Sequence, residues 1–227
     1  MDILISFLTT LIGIGIAAVG LDNQSARKIP VFRNAHPEES FTPKEIGKPE
    51  RVLLLCIITL LCFVSTMRIY DKVENPLGIA KMLICLICLI GAASFDYREH
   101  RIPNIFPATI VISATILLGT GMLLRQAGAV AYITTGAVTS LACGLVLIAA
   151  AAITKQGIGA GDIKLICAMA LMTGTYAVMG TLFFGVILCS IYAIIAMVLK
   201  KKSVNSTVPF GPFLFLGYVT TLFAVNF

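Results

Sequence analysis

The longest uncharged stretch of this chain covers residues 165–199 and reads LICAMALMTGTYAVMGTLFFGVILCSIYAIIAMVL. As a single α-helix its 35 residues would extend about 52 Å, whereas the apolar core of a bilayer is about 30 Å thick. Two crossings joined by a turn fit this length better, and Thr173, Gly174 and Thr175 are the residues that favour a turn. The stretch therefore predicts a pair of transmembrane helices.

The rest of the chain also consists of apolar runs separated by polar segments. Of its 227 residues, 58% are hydrophobic and 12% are charged, whereas soluble domains are about 25% charged. Further runs without Asp, Glu, Lys or Arg cover 3–21, 52–67, 82–95, 102–124, 126–154 and 203–227. The run 82–95 is long enough to cross if it begins at Pro76 and Lys81 extends toward the membrane surface. We therefore predict an all-α, polytopic membrane protein with about eight transmembrane helices.

The basic residues are unevenly distributed between the two sides of this arrangement. Thirteen of the 17 lysines and arginines lie in or beside the loops after the first, third, fifth and seventh predicted helices. Cytoplasmic loops carry such an excess. The distribution predicts a protein of the inner, cytoplasmic membrane with both termini outside and with loops 22–50, 96–104, 155–164 and 200–208 in the cytosol. It also accounts for the net charge of +6 without a nucleic-acid partner.

The predicted helices form two groups. Residues 1–75 contain two N-terminal helices joined by the polar loop 22–50, which is too short to bury a core of its own. Residues 76–227 contain six helices.

The seven cysteines all lie in apolar runs. Cys85 and Cys88 have the spacing of a zinc-ligand pair, but they lie within a predicted span and a second pair is missing. A structural zinc site needs four ligands. The sequence therefore predicts apolar packing for the cysteines, and neither a metal site nor another cofactor.

Three acidic residues lie at the predicted cytosolic ends of spans, namely Asp96, Glu99 and Asp162. A carboxylate at the membrane boundary loses hydration, which favours its protonated form. Two such groups held close together share a proton, so that one acts as a base toward water and the other as an acid toward a carbonyl oxygen. Asp96 and Asp162 are the candidate pair. The alternative, that Asp162 is a helix N-cap and Asp96 an ordinary boundary charge, stays open from these residues alone.

Glycines precede Asp162. Gly159 and Gly161 are expected to let the backbone turn tightly and to let a substrate chain approach. The N-terminus of the following helix is expected to favour ionised Asp162. The two histidines, His36 and His100, lie in loops without a neighbouring nucleophile, which disfavours a Ser-His-Asp or Cys-His site.

Three segments of the chain resemble the signatures of the prepilin peptidases, the type IV leader peptidases of the GxGD class. FDYREHRIPN at 95–104 resembles the first signature, in which Asp precedes Ile-Pro-Asn. GAGDIKL at 159–165 resembles the Gly-x-Gly-Asp-x-Lys signature, and VPFGPF at 208–213 resembles the segment before the last helix. Together they cover about residues 80–227 in the family's order.

This resemblance implies a membrane-embedded aspartic endopeptidase with Asp96 and Asp162 as its catalytic pair. Its substrates would be prepilins or pseudopilins, cut at the cytosolic face after a Gly that separates a short basic leader from an apolar helix. Five further positions of the matching signatures are expected to shape the site or contact substrate: Pro103, Asn104, Gly159, Gly161 and Lys164.

One departure from the family and two other functions remain. Many family members also methylate the new N-terminus and carry two Cys-x-x-Cys pairs in the loop after the first helix, but loop 22–50 has no cysteine. Either methylation is absent or the loop holds its shape otherwise.

Two other functions stay open from the sequence. They are a proton-coupled carrier that uses the same aspartates and an assembly scaffold without catalysis. Carriers place ionisable groups near the membrane midplane, not at span ends. The particular pilin and the oligomeric state are not encoded in these patterns.

Overall fold

The computed structural model describes residues 2–22, 47–73, 75–124, 129–154, 159–199 and 208–224. These residues form seven helices: α1 (Asp2–Leu21), α2 (Lys48–Lys72), α3 (Pro76–Glu99), α4 (Ile105–Leu123), α5 (Ala129–Thr154), α6 (Ala160–Val198) and α7 (Gly211–Ala224). The all-α prediction is therefore confirmed for this part of the chain. Helices α2 to α6 are long and apolar enough to cross a membrane, and α1 and α7 add shorter apolar helices. The count of about eight crossings and the sides of the termini stay predictions.

Helix α6 is broken at the predicted turn. Gly174 has φ 80° and ψ −178°, a conformation that side chains with a Cβ rarely adopt. We call residues 160–173 α6a and residues 175–198 α6b. The two halves fold back on each other. This is shown by the Cys189 thiol of α6b, which lies within electrostatic range of the Asp162 carboxylate at the start of α6a. A straight helix would separate these two residues by about 40 Å.

Glycines bring α6b and α7 together backbone to backbone. A Cβ at Gly185 would lie 3.2 Å from the carbonyl oxygen of Phe213, and a Cβ at Gly217 would lie 2.7 Å from the backbone nitrogen of Gly185. Small residues allow this kind of close packing between helices in membranes. Since Phe213 belongs to the first turn of α7, the packing fixes where that helix begins.

Helix α3 lies in the centre of the bundle and is buried along most of its length from Met82 to Phe95. It packs against α1, α4 and α7. Its C-terminal cap is His100, which has a left-handed backbone (φ 50°, ψ 33°) and donates its N–H to the carbonyl of Asp96. The chain therefore turns out of α3 at His100, one helical turn after Asp96.

Polar residues lie at both ends of the bundle. Asp96 and Asp162 lie together at one end, as the prediction of a shared face for their two segments requires. Of the second segment, only residues 159–164 are among the described residues. At the opposite end, Lys72 donates to the carbonyl of Phe223, and Arg68 stacks on the Phe223 ring. The cytosolic assignment of the first end stays a prediction.

Several sequence predictions fall outside the described residues. They concern most of loop 22–50, residues 155–158 and most of 200–208. The proposed division between residues 1–75 and 76–227 likewise stays a prediction, although α1 and α2 pack on each other and on α3.

Candidate active site

Asp96 lies in the last turn of α3 and is buried, with 5% of its surface exposed. Its Oδ2 accepts a hydrogen bond of 2.7 Å from the backbone N–H of Gly211, the first residue of α7. The backbone of Phe210 also hydrogen-bonds to this carboxylate. Asp96 therefore occupies the N-terminus of α7, where unpaired N–H groups and the helix dipole stabilise a negative charge.

Asp162 lies in the first turn of α6a, behind the N-cap residue Gly159. The interpretation of Asp162 as the N-cap itself is thus wrong. The backbone N–H of Gly159 hydrogen-bonds to the Asp162 carboxylate. Its Oδ1 is buried and has no hydrogen-bond partner among the described residues. That oxygen can therefore carry a proton.

The two carboxylates lie close enough for the charge of Asp96 to act on Asp162. Among the described residues, the N–H of Gly211 donates to Asp96 at 2.7 Å and the backbone of Phe210 lies beside the same carboxylate, whereas Asp162 has the backbone of Gly159 beside it. Hydrogen bonds to a carboxylate stabilise its ionised form. The expectation that Asp162 is the ionised member is therefore not supported by this donor count, because the N-terminus of α7 provides more for Asp96 than the N-terminus of α6a provides for Asp162.

The first two sequence signatures meet beside the aspartates. Gly161 packs on Ile102, since a Cβ at Gly161 would lie 3.1 Å from the Cβ of Ile102. Lys164 donates to the side-chain oxygen of Asn104 at 3.2 Å. Pro103 lies between these contacts, and its carbonyl accepts the N–H of Phe106 in the first turn of α4. The segment after α3 is thus held against the start of α6a.

The glycines have a different role from the one expected. Neither Gly159 (φ −69°, ψ 139°) nor Gly161, which lies inside α6a, has a positive φ. The expectation of a tight turn that needs glycine there is wrong. Space is what excludes a side chain: a Cβ at Gly159 would lie 2.9 Å from Oδ2 of Asp162, and one at Gly161 would press on Ile102.

Three residues at the site were missed as site residues from the sequence. Gly211 and Phe210 bind Asp96 through their backbones. Their only signal was the segment 208–213, which the family resemblance singled out without a role. Cys189 lies within electrostatic range of Asp162, and nothing in the local pattern of α6b distinguishes it from the other apolar-run cysteines.

An open groove of about 530 Å³ lies between α4, α5 and α6a. Lys164 and Asn104 form its polar end, and Val111, Ala168 and Leu171 are among its apolar walls. Positions 162 and 164 of a helix point about 200° apart. The groove therefore lies on another face of α6a from Asp162, and Lys164 is a neighbour of the pair without facing it.

Metal ligation has little support in this part of the chain. Cys85 and Cys88 are buried in the core of the bundle. Among the described residues, no group of three or more His, Cys, Asp or Glu side chains could hold a metal ion. The donor set around Asp96 and Asp162 consists of backbone N–H groups, which bind anions.

Comparison with known proteins gives one family. Residues 83–194 match the model described as the type IV leader peptidase family. This range contains Asp96, Asp162 and every site-shaping position predicted from the sequence, but it leaves out all of α1, α2 and α7. No curated protein and no solved structure matches the chain.

Proposed function

Because residues 83–194 belong to the type IV leader peptidase family, we propose that this membrane protein is an aspartic endopeptidase that removes the leader from prepilin-like substrates. The observation that supports an aspartic mechanism is the meeting of Asp96 and Asp162, from the ends of α3 and α6a, within range of mutual repulsion. Each lies at a helix N-terminus that can stabilise a carboxylate.

The hydrogen bonds support separate roles for the two aspartates. Asp96, with its two N–H donors, is the ionised base that takes a proton from the attacking water. Asp162, whose Oδ1 has no partner among the described residues, carries the proton and gives it to the scissile carbonyl oxygen. The resulting tetrahedral gem-diol collapses when Asp96 returns its proton to the leaving nitrogen and Asp162 recovers one from a hydroxyl. The C–N bond breaks and both carboxyl groups regain their starting states.

The position of the pair at the polar end of the bundle supports a particular kind of substrate. A chain with a polar leader and a following apolar helix would place the helix in the bilayer and the junction at the level of the aspartates. We propose the cytosolic face of the inner membrane for this end, since the basic residues concentrate on that side of the sequence. We further propose that the protein cuts after the Gly preceding the apolar helix and does not methylate the product, since loop 22–50 lacks cysteine.

Cleavage by the purified protein tests this function. The full chain, in detergent or in nanodiscs, is incubated with a peptide containing a short basic leader, a Gly and an apolar helix. We expect one cut after the Gly, seen by mass spectrometry, and an unmodified product amine when S-adenosylmethionine is added. A substrate with Gly changed to Val is the control and should not be cut. A peptide that stays intact after prolonged incubation with excess enzyme would reject the peptidase function.

A proton-coupled carrier remains the competing function, and its expected placement of charge differs. Carriers use ionisable groups near the membrane midplane, whereas Asp96 lies in the last turn of α3 and Asp162 in the first turn of α6a. Proton uptake by proteoliposomes that depends on Asp162, without peptide cleavage, would favour the carrier.

A further inference from the structure

Three successive side chains at the end of α3 each bond to a different helix. Asp96 accepts from Gly211 of α7. The Tyr97 hydroxyl donates to Oε1 of Glu50 in the first turn of α2 at 2.8 Å. The Arg98 guanidinium donates to the carbonyl of Asp22, immediately after α1, at 2.5 Å. The turn that carries Asp96 is therefore held from three sides.

Arg98 is the most deeply buried of these three side chains. Only 1% of its surface is exposed, and arginine is almost never buried to this extent unless it is paired. It also forms an ion pair with Glu99. The carbonyl it binds lies at the C-terminal end of α1, where the helix dipole favours a cation. Removing the guanidinium leaves the carbonyl of Asp22 without this donor, which destabilises the local structure.

The end of α1 is itself tied to the start of α2. Arg51 lies 3.2 Å from Oδ1 of Asp22, whose carbonyl receives Arg98. Glu50, the neighbour of Arg51, receives Tyr97. The end of α1, the start of α2 and the last turn of α3 thus form one polar network on the side of α3 away from α7.

We infer that α1 and α2 position the catalytic carboxylate of Asp96, with Arg98 and Tyr97 as the positioning residues. This inference rests on the proposed peptidase function. Arg98 points about 200° around α3 from Asp96, so it acts through the backbone of the turn and does not touch the reacting atoms. In this inference, α1 and the start of α2 have a positioning role in catalysis, although both lie before residues 83–194, which match the family.

The size of the expected effect follows from the geometry. A displacement of about 1 Å in a positioned catalytic group costs about 100-fold in rate. Arg98→Met keeps the length and apolar stem of the side chain but removes its donors, so the last turn of α3 loses its attachment to α1. Arg98→Lys keeps a charge and one donor for the Asp22 carbonyl, although it loses the planar fork. Tyr97→Phe removes the hydroxyl that donates to Glu50.

The experiment compares these variants with Arg68→Met, the same substitution at the opposite end of the bundle, where Arg68 contacts Phe223 and Asp71. For each purified full-length variant, kcat and KM for the leader peptide are measured at a temperature where the protein is folded. Hydrogen–deuterium exchange of the backbone amides of residues 97–100 is measured in parallel. Thermal unfolding reports the folded fraction.

We expect Arg98→Met to lower kcat about 30- to 100-fold with KM changed less than about threefold. On a logarithmic scale of kcat, Arg98→Lys should regain at least about a third of what Arg98→Met loses. Tyr97→Phe should lower kcat about threefold. Exchange at residues 97–100 should rise about tenfold in Arg98→Met and stay unchanged in Arg68→Met.

Two results would overturn the inference. One is an Arg98→Met enzyme with wild-type kcat and exchange. The other is a loss of kcat in Arg98→Met that Arg68→Met shares at an equal folded fraction, which would make the network a matter of stability alone. If the proposed function itself is wrong, the wild-type protein will leave the peptide intact. In that case the exchange measurement still tests the network, because unchanged exchange at residues 97–100 in Arg98→Met would show that Arg98 does not hold the end of α3.

Discussion

The surroundings of Asp96 and Asp162 differ although both lie at the same end of the bundle. Asp162 stands in the first turn of its own helix and receives one backbone N–H, from Gly159. Asp96 stands in the last turn of its own helix, where the dipole is unfavourable for an anion. It is stabilised by a different helix, α7, whose first N–H lies 2.7 Å away.

This difference shows that a boundary carboxylate can be stabilised by its own helix, as Asp162 is, or by another helix, as Asp96 is. Asp96 is buried and bound by two N–H groups, while Asp162 keeps a buried oxygen without a partner among the described residues. The asymmetry supports a base and an acid in one site. Substitutions that affect one aspartate and not the other therefore test this asymmetry.

Among substitutions that keep both carboxyl groups, the largest effect is expected at Gly211, which touches Asp96 directly. A Cβ there would lie 2.9 Å from the Cβ and 3.0 Å from Oδ2 of Asp96. Gly211→Val should displace the start of α7 from the carboxylate and lower kcat by about 100-fold or more. Gly119→Ala is the control, because nothing lies within 4 Å of its added Cβ. Cleavage rates at equal protein levels that agree within twofold would show that α7 does not hold Asp96.

A smaller but unequal effect is expected when each aspartate is lengthened. Asp96→Glu must place an extra methylene inside a buried site bounded by Gly211, so its kcat should fall about 100-fold. Oδ1 of Asp162 has no partner among the described residues, and Asp162 is less deeply buried than Asp96. The kcat of Asp162→Glu should therefore fall about tenfold. Steady-state rates on the leader peptide measure the difference. Equal losses would mean that the two carboxylates are held equally tightly.

The glycines before Asp162 are expected to have intermediate effects. Gly161→Val should crowd Ile102, 3.1 Å from the added Cβ, and lower cleavage about tenfold. Because this effect is one of space, Ile102→Ala in the same chain should restore much of the rate. If the double variant is as slow as Gly161→Val alone, the close packing of 101–104 on α6a does not explain the glycine.

The smallest effect is expected at Lys164. It is exposed and donates a hydrogen bond to Asn104 at 3.2 Å, on a face of α6a that points away from Asp162. Lys164→Met should therefore change kcat less than about threefold, in line with the modest value of an exposed hydrogen bond. Asn104→Ala should behave in the same way. A loss of more than about 30-fold in either variant would place these side chains in direct contact with the substrate.

The sequence predicted the helical class and the break in α6 because both depend on local properties. An uncharged run of 35 residues exceeds the thickness of a bilayer, and Gly174 is the residue in it that takes the left-handed conformation. The meeting of Asp96 and Asp162 at one end also follows from counting helices. These predictions needed hydropathy and chain direction only.

The partners of the aspartates were not predictable in the same way. The N–H of Gly211 reaches Asp96 across 115 positions of sequence, and no local periodicity encodes such a contact. The role of Gly161 was misjudged for a related reason: glycine serves both turns and close packing, and only the position of Ile102 shows which applies. The network of Arg98 with Asp22 was likewise hidden, since Arg98 looked like one more basic residue of a cytosolic loop.

The central claim is that Asp96 and Asp162 act as one catalytic unit, and a comparison of single and double substitutions tests it most directly. Leader-peptide cleavage is measured for Asp96→Asn, Asp162→Asn and the double variant, each shown to be folded and inserted in the membrane. Residues that act as a unit have non-additive effects. We expect each single variant to lose at least about 1,000-fold and the double variant to be no slower than either, within about threefold. Substantial cleavage by either single variant, or a double variant slower by the product of the two losses, would contradict the account.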